Sequence, residues 1–106
     1  MAESGQASRV EAIIDTGFTG YLTLSASQIS ELGLKEKGAR EARLADGQLA
    51  TFRTFLATIL WHQTQRQIMV LQSDAGALIG MALLRGDRLT IDVVPEGVVS
   101  IVNAPK

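Results

Sequence analysis

Val10-Glu11-Ala12-Ile13-Ile14-Asp15-Thr16-Gly17 is the stretch on which the fold turns. Val10, Ala12 and Ile14 alternate with Glu11, Ile13 and Asp15, and a period of two rich in β-branched residues is the pattern of a strand. Asp15 therefore stands at a strand end, with Thr16-Gly17 opening a turn. A carboxylate so placed, followed by a hydroxyl that can brace a tight loop and a glycine that permits close backbone approach, is a way to hold an acid rigidly.

Working outward, Tyr21-Leu22-Thr23-Leu24 reads as a short strand that runs into a helix start. Ser25 caps that helix while Gln28, three positions on, reaches back to the cap, the reciprocal capping box. Ile29 and Leu32 share one face, Gly33 supplies a left-handed stop and Leu34 closes over it. Lys35 to Gly38 is charged and poor in large apolar groups, so it reads as a solvated loop before a strand over Arg40 to Ala45. Asp46-Gly47 is the strongest hairpin signal in the chain, because both residue types tolerate the positive φ of a tight turn.

The return strand spans Leu49 to Trp61, and His62-Gln63-Thr64-Gln65 turns it into a strand over Arg66 to Gln72. Two consecutive hairpins imply an antiparallel sheet. Leu78-Ile79-Gly80 leads into Met81-Ala82-Leu83-Leu84-Arg85-Gly86, where good helix formers end on a glycine, so a second short helix is expected. Arg88 to Val94 and Val98 to Val102, broken by Pro95-Glu96-Gly97, form a closing hairpin. The fold class expected is all-β, a barrel or sandwich with two small helices.

Composition bounds the function. The chain has 106 residues, 46% of them hydrophobic and 20% charged, enough for one globular domain with a core of its own. Its formal net charge is −1, and no Lys/Arg run interleaves with aromatic residues, which excludes the electrostatic footprint of a nucleic-acid binder. With no cysteine and one histidine there is no disulfide framework, no cysteine nucleophile and no zinc site, and no metal or organic cofactor is expected. Residues 1–9 form a short polar N-terminal segment without a signal-peptide pattern, residues 10–106 form the domain, and no apolar run approaches the roughly 18 residues of a membrane span. The reading is a cytoplasmic protein with no membrane partner, or a domain excised from a longer one.

The order of these features carries a resemblance. Ala12-Ile13-Ile14-Asp15-Thr16-Gly17, then Leu44-Ala45-Asp46-Gly47, then Leu78-Ile79-Gly80-Met81-Ala82-Leu83-Leu84 resemble the retropepsin-like aspartic proteases, closest to their small bacterial members, from about Val10 to Val102. A bare Asp-Thr-Gly is common; apolar residues before it and an apolar-apolar-Gly leading into a helix about sixty residues later make the combination specific. The resemblance implies a retropepsin-like acid protease barrel with one half-site per chain. It implies that Asp15 is the catalytic acid/base, that Thr16 interlocks with the opposite subunit's loop, and that Gly17 contacts the substrate backbone, with Phe18 completing the active-site loop. Ala45, Asp46, Gly47 and Gln48 would form the flap over the substrate, and Leu78, Ile79 and Gly80 the pocket wall.

Peptide hydrolysis by carboxylates needs one group to deprotonate water and another to protonate the carbonyl oxygen. One Asp-Thr-Gly is present, so the second acid is expected from a second copy in a twofold homodimer, and the partners expected are that copy and a peptide or protein substrate. The chain departs from the pattern in three places. Phe18 stands where many members carry a small residue, Thr19 and Met81 stand where retroviral members carry a paired acid and arginine, and polar Met1 to Ser8 precede Val10 where many relatives have a full strand. The alternative is a catalytically silent retropepsin-like module that binds peptide or dimerises. Elsewhere the plain readings suffice: His62 as an exposed turn residue, Asp74, Asp87 and Asp92 in turn or surface roles, and Lys35, Lys37 and Arg40 on a solvated loop face.

Overall fold

In the computed structural model, residues 8–43 and 46–104 are described. Eight strands and two short helices follow in the order β1 (Ile13–Ile14), β2 (Leu22–Leu24), α1 (Ala26–Leu32), β3 (Lys35–Arg43), β4 (Leu49–Trp61), β5 (Thr64–Gln72), β6 (Leu78–Ile79), α2 (Met81–Leu84), β7 (Asp87–Ile91) and β8 (Val99–Asn103). The protein is thus mostly β, as its alternating patterns imply.

Six strands make one sheet in the order β1-β6-β2-β5-β4-β3, and β7 and β8 pair separately. Hairpin connections make β3-β4-β5 antiparallel, but β2 runs parallel to β5 and β1 parallel to β6. The sheet is therefore mixed rather than antiparallel throughout. Its order is linear, with β1 and β3 at the edges, so among the described residues hydrogen bonding does not close it into a barrel.

Strand register explains where the core lies. Phe55, Val70 and Leu22 stand opposite one another across β4, β5 and β2, and their side chains share a face. That face gathers Leu24, Ile29, Ala57, Ile68 and Leu83 into one buried cluster. One residue along, Thr54, Leu71 and Thr23 stand in register and face the other way.

The helix α1 has the expected ends. The Ser25 hydroxyl accepts from the Gln28 backbone N–H and Gln28 Oε1 accepts from the Ser25 N–H, while Gly33 sits at φ 65° and donates to the Ile29 and Ser30 carbonyls. Residues Lys35 to Gly38, expected as a loop, are instead the first part of β3. The cause is position: β3 is an edge strand, exposed along nearly all its length, and the pairing shifts register between Glu36 and Gly38. Charged side chains suit such an edge, because they discourage pairing with other chains. Arg53 on β4 ties it down, donating to Glu36 at 2.9 Å and 2.6 Å.

The β3–β4 connection runs from Arg43 to its pairing partner Leu49. Leu44 and Ala45 lie outside the described residues, as do residues 1–7 of the N-terminal segment. Gly47 takes φ 87° and Asp46 Oδ1 accepts from the Gln48 N–H at 3.0 Å, so the turn uses both residues singled out for it. The β4–β5 turn is tighter than expected: Trp61 pairs directly with Thr64, and His62 and Gln63 alone make the bend at φ 52° and 64°, the two positive angles of a type I′ turn.

The closing hairpin forms with a first strand shorter than expected, since Asp92 to Val94 belong to its loop, and a second strand one residue further on. It is joined to the body at its root. Asp87, expected at the surface, has a side chain only 5% exposed; it accepts from the Trp61 indole N–H at 3.1 Å and pairs with the His62 ring at 2.9 Å. The Ala104 N–H closes the base on the Gly86 carbonyl at 2.9 Å. The radius of gyration, 14.2 Å, exceeds the about 13 Å expected of a compact chain of this length, in keeping with elements that project.

Candidate active site

The chain leaves β1 at Ile14, turns through Asp15 to Tyr21 and returns as β2, with β6 lying between the two strands. The Asp15 loop is therefore bound to β6 and the start of α2 on both sides of Thr16 and Gly17. The Ile13 N–H donates to the Ala77 carbonyl and the Asp15 N–H to the Ile79 carbonyl, each at 2.9 Å. On the far side the Gly80 N–H donates to Tyr21, Met81 to Phe18 and Ala82 to Gly20, at 3.0, 2.8 and 3.0 Å. These five backbone bonds place the carboxylate by main-chain geometry, the kind of support a positioned acid needs.

Within the loop, Asp15 Oδ1 accepts from the Gly17 N–H at 2.9 Å, and the Asp15 carbonyl accepts from the Phe18 N–H at 3.1 Å. Asp15 is half-buried. Thr16 and Gly17 are exposed, and the Thr16 hydroxyl has no hydrogen-bond partner among the described residues of its own chain.

Phe18 is a core residue of this loop. It is buried, and its ring lies over Gly20 and Gly80: a Cβ on Gly20 would come within 2.6 Å of the ring, and one on Gly80 would overlap the ring and the Gly20 carbonyl. Gly80 therefore serves close packing and does not line the cleft that holds Asp15. The bulky residue after the triplet is accommodated by two glycines from separate segments.

Sequence reasoning missed Thr23. It is buried, its hydroxyl donates to the Gly76 carbonyl at 2.7 Å and accepts from the Leu78 N–H at 2.9 Å. One side chain thus fixes the entry to β6, and β6 in turn fixes Asp15. The only signal was a hydroxyl between two leucines.

Asp15 lines a small cleft of about 100 Å³ together with Phe18, Thr23, Phe52, Leu78 and, from the edge hairpin, Ala42 and Arg43. The structure thus brings Asp15, Phe18 and Leu78 together beneath the last strand pairs of the β3–β4 hairpin before its turn. Asp46, Gly47 and Gln48 sit exposed at the hairpin's end and outside that lining, and Ala45 lies outside the described residues. Ile79 and Gly80 stand behind the loop, Ile79 reaching a larger apolar groove on the other side. The arrangement offers one carboxylate, rigidly mounted at the mouth of a cleft with largely apolar walls. Comparisons with family models, with curated proteins and with solved structures find no match to this chain.

Proposed function

We propose that the protein is one half of an aspartic endopeptidase of the retropepsin type, hydrolysing peptide bonds with a water activated by a dyad of Asp15 residues from two subunits of a homodimer. The observation that carries the reading is the Asp15 loop wrapped round β6, five backbone bonds holding its ends and its carboxylate turned to a cleft roofed by a hairpin. The retropepsin-like barrel is part of this proposal, supported by the order of motifs and by β6 lying between β1 and β2 rather than by a closed ring of strands.

In the dimer the two carboxylates approach closely, so they cannot both stay ionised and they titrate as a coupled pair. The ionised member takes a proton from water as the oxygen attacks the scissile carbonyl, and the protonated member donates to the carbonyl oxygen. An extended peptide lies between the loop and the hairpin, hydrogen-bonded as an added strand, and the hairpin end at Asp46 to Gln48 closes over it to exclude water. The exposed Thr16 hydroxyl meets the partner's loop across the twofold axis. Neither metal nor organic cofactor takes part, and a chain without cysteine suits the reducing cytoplasm.

The test is incubation with an unstructured protein across pH. Cleavage should follow a bell with an acidic optimum, because only the singly protonated dyad works, and Asp15→Asn should abolish it while leaving assembly intact. A flat rate from about pH 4 to 9, or turnover unchanged in Asp15→Asn, refutes the proposal. Peptide binding without cleavage would leave the silent module.

A further inference from the structure

A second cleft lies beside the one that holds Asp15. It encloses about 120 Å³ and is lined by the returning loop at Thr19 and Gly20, by Met69 and Leu71 of β5, and by residues 40–43 of β3. Ala42 and Arg43 also line the Asp15 cleft, so the two clefts share a wall. Strand register tells what β3 brings to each. Its pairing with β4 is regular from Gly38 to Arg43, and Arg40 stands opposite Phe52. Cross-strand partners share a face, and Phe52 lines the Asp15 cleft, so Arg40 belongs to the Asp15 side of the sheet. Glu41 also borders the second cleft, but it stands opposite Thr51, one step along, and its side chain belongs to the other face.

The nearby arginines are engaged within the chain, and Arg40 is not. Arg53 pairs with Glu36, Arg43 donates from Nη1 to the Gly47 carbonyl at 3.0 Å, and Arg66 lies over the Tyr21 ring. Among the described residues the Arg40 guanidinium has no hydrogen bond, ion pair or ring contact. Protection of an edge accounts for a charge on β3, but it is indifferent to the face that carries it. A guanidinium without a partner, beside a cleft next to the Asp15 site, suits a carboxylate, which its planar fork grips with two parallel bonds.

We propose that Arg40 is a specificity-determining residue of the Asp15 site, selecting peptides with an acidic side chain two positions from the one that enters the Asp15 cleft. The inference rests on the reading of that cleft as a peptide site, and it names the substrate class. Its spacing follows from strand geometry. Side chains on one side of an extended peptide recur about every 7 Å. Ala42 and Arg40 on β3 are separated by the same step, and Arg40 borders the second cleft alone. The Asp15 cleft, walled by Phe18, Phe52 and Leu78, takes an apolar side chain, and the next on that side meets Arg40. The selection needs an ionised carboxylate, so it fades as pH falls below about 4.3, the ordinary value of glutamate.

The test is a series of labelled, unstructured peptides, identical but for one glutamate moved position by position, each with a glutamine twin and a lysine twin. Binding is read by fluorescence anisotropy on Asp15→Asn protein, so that bound peptide is not cut. At about pH 6 one glutamate position should bind about fivefold tighter than its glutamine twin, and added salt should shrink the difference. Arg40→Glu on the same background should reverse the order and favour lysine at that position, a swap that damage to the strand does not mimic. Arg40 is exposed, so circular dichroism should be unaltered. Twins of equal affinity at every position, failure to bind any of them, or a glutamate preference that survives Arg40→Glu overturns the inference. If the twins are equal and the wild-type protein still cleaves them, the enzyme reading stands without it. If the preference follows Arg40 and the wild-type protein cuts none of the series at any pH, the charge selection stands and the enzyme reading falls.

Discussion

The two hairpins β4–β5 and β7–β8 are built from the same element and meet opposite fates. The first has neighbours on both flanks, β3 and β2, and buries Phe55, Ala57, Ile68 and Val70. Among the described residues the second has no strand beside either edge, and it leaves Ile91, Val99 and Val102 half in water. Pairing and alternation are equally regular in both, so regular strand chemistry does not decide burial. The first hairpin builds the core, and the second is held to the body at its root.

The sharpest way to break this contrast is to make one substitution in both places. Ile68→Ala removes a side chain only 3% exposed and should cost about 2–5 kcal/mol, read by denaturant unfolding. Ile91→Ala, at a residue 52% exposed, should leave the dilute protein within about 0.5 kcal/mol. Equal losses at both positions in dilute solution would mean that the second hairpin is as much core as the first.

A middle-sized effect tests the supports of the Asp15 loop. Thr23→Val keeps the shape but strips the Gly76 carbonyl and the Leu78 N–H of their shared partner, which should cost about 1–3 kcal/mol. Cleavage should fall further than stability alone explains, because β6 carries Asp15; full activity in a destabilised variant would cut that link.

The smallest effect belongs to the Glu36–Arg53 pair on the edge strand. Its hydrogen bond from Arg53 holds the Glu36 carboxyl below the ordinary carboxylate range on an exposed edge. A lowered value means that stabilisation is present above the unfolded-state value and is lost as pH falls through the folded one. Glu36→Gln should therefore cause a slight loss near neutrality, erased by salt and absent in strong acid. A melting curve that ignores salt would show that the pair does nothing beyond shielding the edge.

Most of the fold was legible in the sequence where a local cause fixed a local structure. Ser25 and Gln28 announce a capping box and Gly33 its end, and Leu49 to Trp61 is a strand at those very bounds. Lys35 to Gly38 was not legible as a strand, because an exposed edge shows no apolar alternation to read. The parallel pairings of β2 with β5 and β1 with β6 depend on which distant segments meet, and no window of sequence contains that. At the candidate site, Asp15 and Leu78 were readable from motif and spacing. Thr23 was not, since a lone threonine in a strand looks the same whether it braces a loop or faces water. Asp87 was misread as a surface turn for a similar reason: its partners Trp61 and His62 are at the end of another hairpin.

Phe18, Gly20 and Gly80 leave one more consequence. A ring seated on two residues that lack a Cβ makes three positions, spread over more than half the chain, answerable to one another. Enlarging either glycine alone would jam the loop, whereas the same enlargement beside a trimmed Phe18 could be absorbed. In descendants of this chain the three should be traded as a set, and a lineage in which one drifts freely would have given up the shape of the loop itself.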